Sequence, residues 1–214
     1  MKQLALDIIE PPAPTFDNFV MGRNAEALAH VRAAAAGRGE RFVYLWGGAG
    51  SGRTHLLKAA AANATYVRCE ANSVFDDDVS LLAADDVERL GADAQVALFN
   101  RYNALREQGG GLIASGSVPP AQLKLRADLV TRLGWGLVVQ LHTLTDDEKG
   151  EALAQQAHAR GVKLAPDVIA YFLSHTTRNM GALFATLDAL DRYSLQTKRA
   201  ITVPLARDWL KIKK

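Results

Sequence analysis

Short apolar runs recur along the first two thirds of the chain, each bounded by glycine or by polar residues. "RFVYLWG" (41–47), "TYVRCE" (65–70), "SLLAADDV" (80–87), "GLIASGS" (111–117) and "GLVVQLH" (136–142) are rich in leucine, β-branched and aromatic residues, and their length suits strands. Between them lie stretches of helical character. "NAEALAHVRAAAAG" is alanine-rich and stops at Gly37, "THLLKAAAANA" follows the first strand, and "DAQVALFNRYNALREQG" separates the third strand from the fourth. Near-continuous apolar strands alternating with helices predict a parallel sheet covered on both faces. From Thr145 the alternation stops. "TDDEKGEALAQQAHARG" opens with a Thr N-cap and acidic residues that suit the helix dipole, and "APDVIAYFLSHT" places Pro166 at a helix start. "NMGALFATLDALDRYSLQ" and "PLARDWLKI" complete four helices. The pattern predicts an α/β core over 15–144 and a small helical lid over 145–214. Ahead of both, 1–14 end in Pro11, Pro12 and Pro14, which read as a flexible arm.

The strand–loop–helix transition at 41–64 carries the most specific chemistry. "LWGGAGSGRTHLL" has the spacing of a phosphate-binding loop, G-x-x-x-x-G-K-[ST], with Arg53 in the place of lysine. Gly47, Gly48, Ala49, Gly50, Ser51 and Gly52 let backbone N–H groups curl around phosphate oxygens, and Arg53, Thr54 and His55 open the helix. The expected ligands are ADP or ATP with Mg²⁺, the Thr54 hydroxyl lying on the metal. Arg53 neutralises phosphate charge, but its planar fork is larger than an ammonium, so binding should survive better than hydrolysis. A second strand must supply a carboxylate for the metal. "LLAADDV" offers Asp85 for that role through water, and Asp86 in the next position as the base or water-orienting acid.

Composition narrows the class. At 214 residues, 49% hydrophobic and 22% charged, the chain suits one globular domain or two coupled subdomains, and a net charge of +2 gives no broad footprint for duplex DNA. Cys69 is the only cysteine, which excludes an intrachain disulfide and a cysteine-cluster metal site. No stretch approaches the roughly 20 apolar residues of a membrane span, and no signal peptide is evident. The expectation is a cytoplasmic protein.

Six ordered blocks then point to a family. "PTFDNFVMGRNAEAL", the glycine loop, "LLAADDVERL", "LIASGSVPPAQL", "TRLGWGLVVQL" and "TTRNMGALFATLDAL" resemble the AAA+ module of the bacterial replication initiator DnaA, and more closely the DnaA-homologous regulators of the Hda family. The resemblance implies a P-loop AAA+ parallel-sheet core with a helical lid. It places "FDNFVMG" as the adenine-side box, Ser115 in the first sensor region, Arg132 at the arginine-finger position, at the end of a helix expected to stop before Gly134, and Arg178 at the second-sensor arginine. "QLALDI" resembles a peptide that binds the DNA polymerase sliding clamp, with Gln3, Leu4, Leu6 and Ile8 as its contacts. The implied partners are the initiator DnaA and the sliding clamp, self-association is left open, and no dedicated DNA-binding domain is expected. Three functions compete: an origin-binding initiator, a self-contained ATPase such as a helicase loader, and a nucleotide-binding adaptor that lends an arginine to a partner's ATP. The clamp-like arm and the departure at Arg53 favour the third.

Overall fold

The computed structural model describes residues 12–176 and 179–212. Contacts divide the chain after Thr143: Pro14–Thr143 form one unit, and the residues from Leu144 onward belong to the other.

In the first unit five parallel strands, β1 (Phe42–Trp46), β2 (Thr65–Arg68), β3 (Leu81–Asp85), β4 (Gly111–Gly116) and β5 (Leu137–Gln140), pair in the order β2-β3-β4-β1-β5. The three central strands are buried almost throughout, whereas β2 and β5 at the edges are only partly covered. That is why 81–85 and 111–116 read as unbroken apolar runs. Alternate residues serve opposite faces. Phe42, Tyr44, Leu82, Ala84, Leu112 and Ala114 pack under α3 (Ala92–Glu107) and α4 (Ala127–Trp135). Val43, Leu45, Leu81, Ala83 and Ile113 pack under α1 (Ala25–Ala35) and α2 (Arg53–Ala60). Cys69 is buried on the first face, its thiol pushed up to about 12 mainly by burial, which makes it an unreactive apolar filler.

Two local expectations change. The helix expected over 54–64 is α-helical only to Ala60, and a 3₁₀ turn over Ala61–Asn63 then delivers Ala64 in extended backbone to β2. The helix carrying Arg132 does not stop before Gly134 but runs on to Trp135. A side chain at Gly134 would meet only ordinary contact, while at Gly136 a Cβ would lie 2.0 Å from the carbonyl oxygen of Phe42. The close approach to β1, rather than helix propensity, therefore sets the glycine that ends α4.

The second unit contains α5 (Asp146–Ala159), α6 (Pro166–His175), α7 (Met180–Thr197) and α8 (Val203–Ile212). Leu153, Val168, Phe172, Leu183, Leu187, Leu190, Leu205 and Trp209 form its core. Thr145 caps α5 reciprocally: Glu148 N–H donates to Thr145 Oγ1 at 3.2 Å, and Thr145 N–H donates to Glu148 Oε2 at 2.7 Å. Pro166 occupies the first turn of α6, where its missing N–H costs nothing.

Candidate nucleotide site and arginine face

Strand order brings the candidate residues together. Because β3, β4 and β1 are neighbours, Asp85, Ser115 and the glycine loop emerge side by side at the carboxyl edge of the sheet. Gly47 is required by packing, since a Cβ there would lie 2.3 Å from Leu141 O and 2.9 Å from Ser51 Oγ. Gly50 and Gly52 adopt positive φ of 79° and 98°. Leu56 N–H is the first to close onto the helix, donating to Gly52 O at 3.0 Å, so the amides of Arg53, Thr54 and His55 have no acceptor within α2. Space is open beside Gly48 and Gly50. Ser51 is buried, and its Oγ has no hydrogen-bond partner among the described residues. An orphaned hydroxyl beside unspent amides fits the oxygens of a phosphate chain.

The arginine in the lysine place is engaged with acids. Arg53 lies 3.4 Å from Asp86 and 3.8 Å from Glu88, and its Nη1 is buried without a hydrogen bond. Asp86 sits at φ +58°, an uncommon conformation for a residue with a side chain, and its carboxylate also lies 3.9 Å from Arg68. Burial, then the Asp85 charge, raises the pKa of Asp86 above the ordinary carboxylate value. Asp85 itself is fully buried. Its Oδ2 accepts from the Tyr66 hydroxyl at 2.9 Å, its Oδ1 accepts from the Ser115 hydroxyl, and Ser115 Oγ in turn accepts from Asp86 N–H at 3.1 Å. Thr54 and Asp85 are oxygen donors of the kind Mg²⁺ takes, and Thr54 is exposed. Asp85, however, presents no open edge to solvent, both its oxygens being occupied by hydroxyls. Among the described residues no group of three or more His, Cys, Asp or Glu is gathered for a metal.

His55 points elsewhere. Its Nε2 lies 2.8 Å from Thr15 O and its ring tilts against Phe19, so the imidazole ties α2 to "FDNFVMG" and only its backbone amide is left for phosphate. Burial lowers its pKa, the Thr15 carbonyl opposing. Asn24, which pattern reasoning passed over, is buried and bonds both the N–H and the carbonyl of His142, at 2.7 and 2.9 Å. Glu88 and Tyr44 were missed as well. Glu88 Oε1 accepts from Ser117 N–H at 2.9 Å, and the Tyr44 hydroxyl donates to Val118 O at 2.9 Å. The "VER" after the paired aspartates gave a sequence signal for Glu88; nothing in a strand pattern marks the hydroxyl of a buried tyrosine.

A second cluster lies between α3 and α4. Arg132 is half-buried, its Nε donating to Asn103 Oδ1 at 3.0 Å. Its guanidinium carbon stands 4.0 Å from the Trp135 ring centroid and 5.6 Å from that of Phe99. It forms no ion pair among the described residues. Gln3, Leu4, Leu6, Ile8 and Arg178 lie outside the described residues.

The family models match two stretches of the chain: the bacterial DnaA ATPase domain over residues 12–76, and the Hda lid domain over residues 146–210. The chain is a DnaA-homologous AAA+ protein with an Hda-type lid. Solved structures agree in fold. Domain III of the DnaA from Thermotoga maritima is 22% identical with a TM-score of 0.73, covering 94% of this chain and 96% of its own. AMPPCP-bound DnaA from Aquifex aeolicus is 23% identical with a TM-score of 0.69, covering 86% and 67%. The Thermotoga maritima RuvB Holliday junction branch migration motor, 16% identical with a TM-score of 0.65 over 96% and 73%, shares the AAA+ architecture. This DnaA homologue has, among its described residues, no helix long and apolar enough to cross a membrane.

Proposed function

We propose that this DnaA homologue is a cytoplasmic regulator of replication initiation that holds an adenine nucleotide and promotes ATP hydrolysis by the initiator DnaA, acting together with the DNA-loaded sliding clamp and so preventing over-initiation. The observation that carries the reading is the contrast between two arginines. Arg53, in the chain's own phosphate loop, is committed to Asp86 and Glu88. Arg132 keeps an un-neutralised guanidinium on an aromatic bed. In AAA+ assemblies the nucleotide lies at a subunit boundary, so an arginine from one chain reaches the γ-phosphate held by the next. Arg132 in that place offsets negative charge as the γ-phosphoryl passes to water, leaving ADP and phosphate on the partner.

The loop amides not spent on backbone carbonyls, among them those of Arg53, Thr54 and His55, would hold the chain's own ADP or ATP together with Ser51 Oγ and Arg53, while the Gly47 N–H is already given to Gly116 O. Thr54 would hold Mg²⁺, which supplies charge neutralisation at the phosphates when bound, and Asp85, closed by the Tyr66 and Ser115 hydroxyls, would act on it only through water. Asp86 and Ser115 are the remaining candidates for orienting a water. Gln3, Leu4, Leu6 and Ile8 would engage the clamp in extended form.

The test is phosphate release from ATP-bound initiator mixed with clamp-loaded DNA and this protein. Arg132→Ala is expected to fold, to keep nucleotide and clamp binding, and to lose stimulation by about 10³-fold. Stimulation at the wild-type level by Arg132→Ala contradicts the mechanism. A Gln3→Ala, Leu6→Ala variant is expected to lose retention on immobilised clamp.

A further inference from the structure

Five side chains alternate, aromatic and cationic, across the face between α3 and α4: Phe42, Arg106, Trp135, Arg132 and Phe99. The Arg106 guanidinium carbon lies 5.7 Å from the Phe42 centroid and 5.8 Å from that of Trp135. Arg132 lies between Trp135 at 4.0 Å and Phe99 at 5.6 Å. Helical spacing produces the arrangement. Phe99, Asn103 and Arg106 follow one another at i, i+4 and i+7 on α3, and Arg132 and Trp135 sit at i and i+3 on α4. Phe42, at the other end, is anchored in the sheet core. Trp135 is 56% exposed, among the largest apolar surfaces left uncovered on the described residues.

We propose that Trp135 is the positioning residue of Arg132. The inference rests on the finger role given to Arg132 above. An arginine side chain carries about 2 kcal/mol of rotamer entropy, and a finger that must find its orientation only at the moment of hydrolysis loses that freedom in the transition state. The indole face of Trp135 fixes the plane of the guanidinium, and Asn103 fixes its rotation by accepting from Nε. Nη1 and Nη2 then have no partner among the described residues and present their donors together, as two oxygens of one phosphate require. Indole is the strongest of the aromatic partners for a cation, and the attraction grows when water is excluded, as it is at a closed subunit boundary. Packing bulk alone explains the site less well, because Trp135 is more than half exposed and is not part of the buried core cluster.

The experiment follows initiator phosphate release, with clamp-loaded DNA, as a function of the concentration of this protein for Trp135→Ala, Trp135→Leu, Trp135→Phe and Arg132→Ala. Trp135→Ala and Trp135→Leu are expected to lower the maximal stimulated rate roughly 10-fold, with the half-maximal concentration moved by less than about twofold. Trp135→Phe, which restores a π face, is expected to recover most of the rate. The leucine variant covers the case in which alanine disturbs folding, because it keeps apolar bulk and removes only the ring. Wild-type rates for the leucine variant overturn the inference, and so does a loss confined to the half-maximal concentration, which marks a docking contact. If Trp135→Leu is unchanged while Arg132→Ala abolishes stimulation, the positioning role alone fails. If Arg132→Ala is also unchanged, the finger reading fails with it.

Discussion

Single atoms decide much of what the nucleotide site accepts. At Gly116 a Cβ would stand 2.0 Å from the Tyr44 hydroxyl and 3.1 Å from Glu88 Oε2, so the tyrosine of β1 dictates the glycine of β4. Gly116→Ala is expected to destabilise the protein by about 1–3 kcal/mol through overpacking, read by chemical denaturation. Adding Tyr44→Phe removes the obstructing oxygen and is expected to return part of that loss. His55 gives a pH signature. Its folded pKa lies below the unfolded value near 6.5, so the unfolded chain takes up the proton first as pH falls. The stability His55 contributes is therefore present above about pH 6.5 and lost below it. His55→Gln, which keeps a neutral donor for Thr15 O, is expected to show a shallower fall in Tm than the wild type between about pH 7 and 5. An equal or steeper fall contradicts that assignment. At this scale the residue types were legible and their commitments were not. Asp85 and Asp86 could be picked out by their place at the end of an apolar run, and Ser115 through the family resemblance, yet the mutual bonding of Asp85, Tyr66 and Ser115 depends on a sheet order that no local pattern states.

Elements form where local preference and burial agree. The capping box at Thr145 and Glu148 is written in the sequence three residues apart and is made in the structure. Thr145→Ala is expected to cost about 1 kcal/mol, seen as faster hydrogen exchange in the first turns of α5 while amides of the sheet are unchanged. Uniform acceleration across both units would instead indicate a global effect. The phosphate-loop helix was legible for the same reason, glycine spacing followed by an apolar helical face. The ends of α2 and α4 were not. Ala61 and Ala62 are good intrinsic helix formers but the chain must turn into β2, and Gly134 resembles a terminator but is passed because the constraint falls at Gly136. Tertiary contact overrode propensity in both cases.

The whole molecule is a nucleotide-binding candidate whose loop cation is already partnered. With Arg53 between Asp86 and Glu88, γ-phosphate chemistry is expected to be disturbed, whereas the amides of Arg53, Thr54 and His55 have no acceptor within α2. ADP is therefore expected to bind at least as firmly as ATP, and the isolated protein to turn ATP over slowly. A ligand that binds only the folded state stabilises it by about 2.7 kcal/mol at a hundredfold excess over Kd. ADP is accordingly expected to raise Tm at least as far as ATP at equal concentration. A clear preference for ATP, or brisk turnover by the protein alone, contradicts this.

Read from residues alone, the chain already declared its alternation of strands and helices, the switch to helices after 144, the glycine spacing of the phosphate loop and the capped start of α5. These depend on interactions within a few residues, which spacing encodes directly. Only tertiary structure joined Arg53 to Asp86 and Glu88, closed Asp85 with hydroxyls from β2 and β4, and laid Arg132 on Trp135 and Phe99. Those pairings bring together positions far apart in the chain, and they follow from the order β2-β3-β4-β1-β5 and from α3 meeting α4. Sequence spacing sets which way a side chain faces on its own element; packing of the elements sets what it meets.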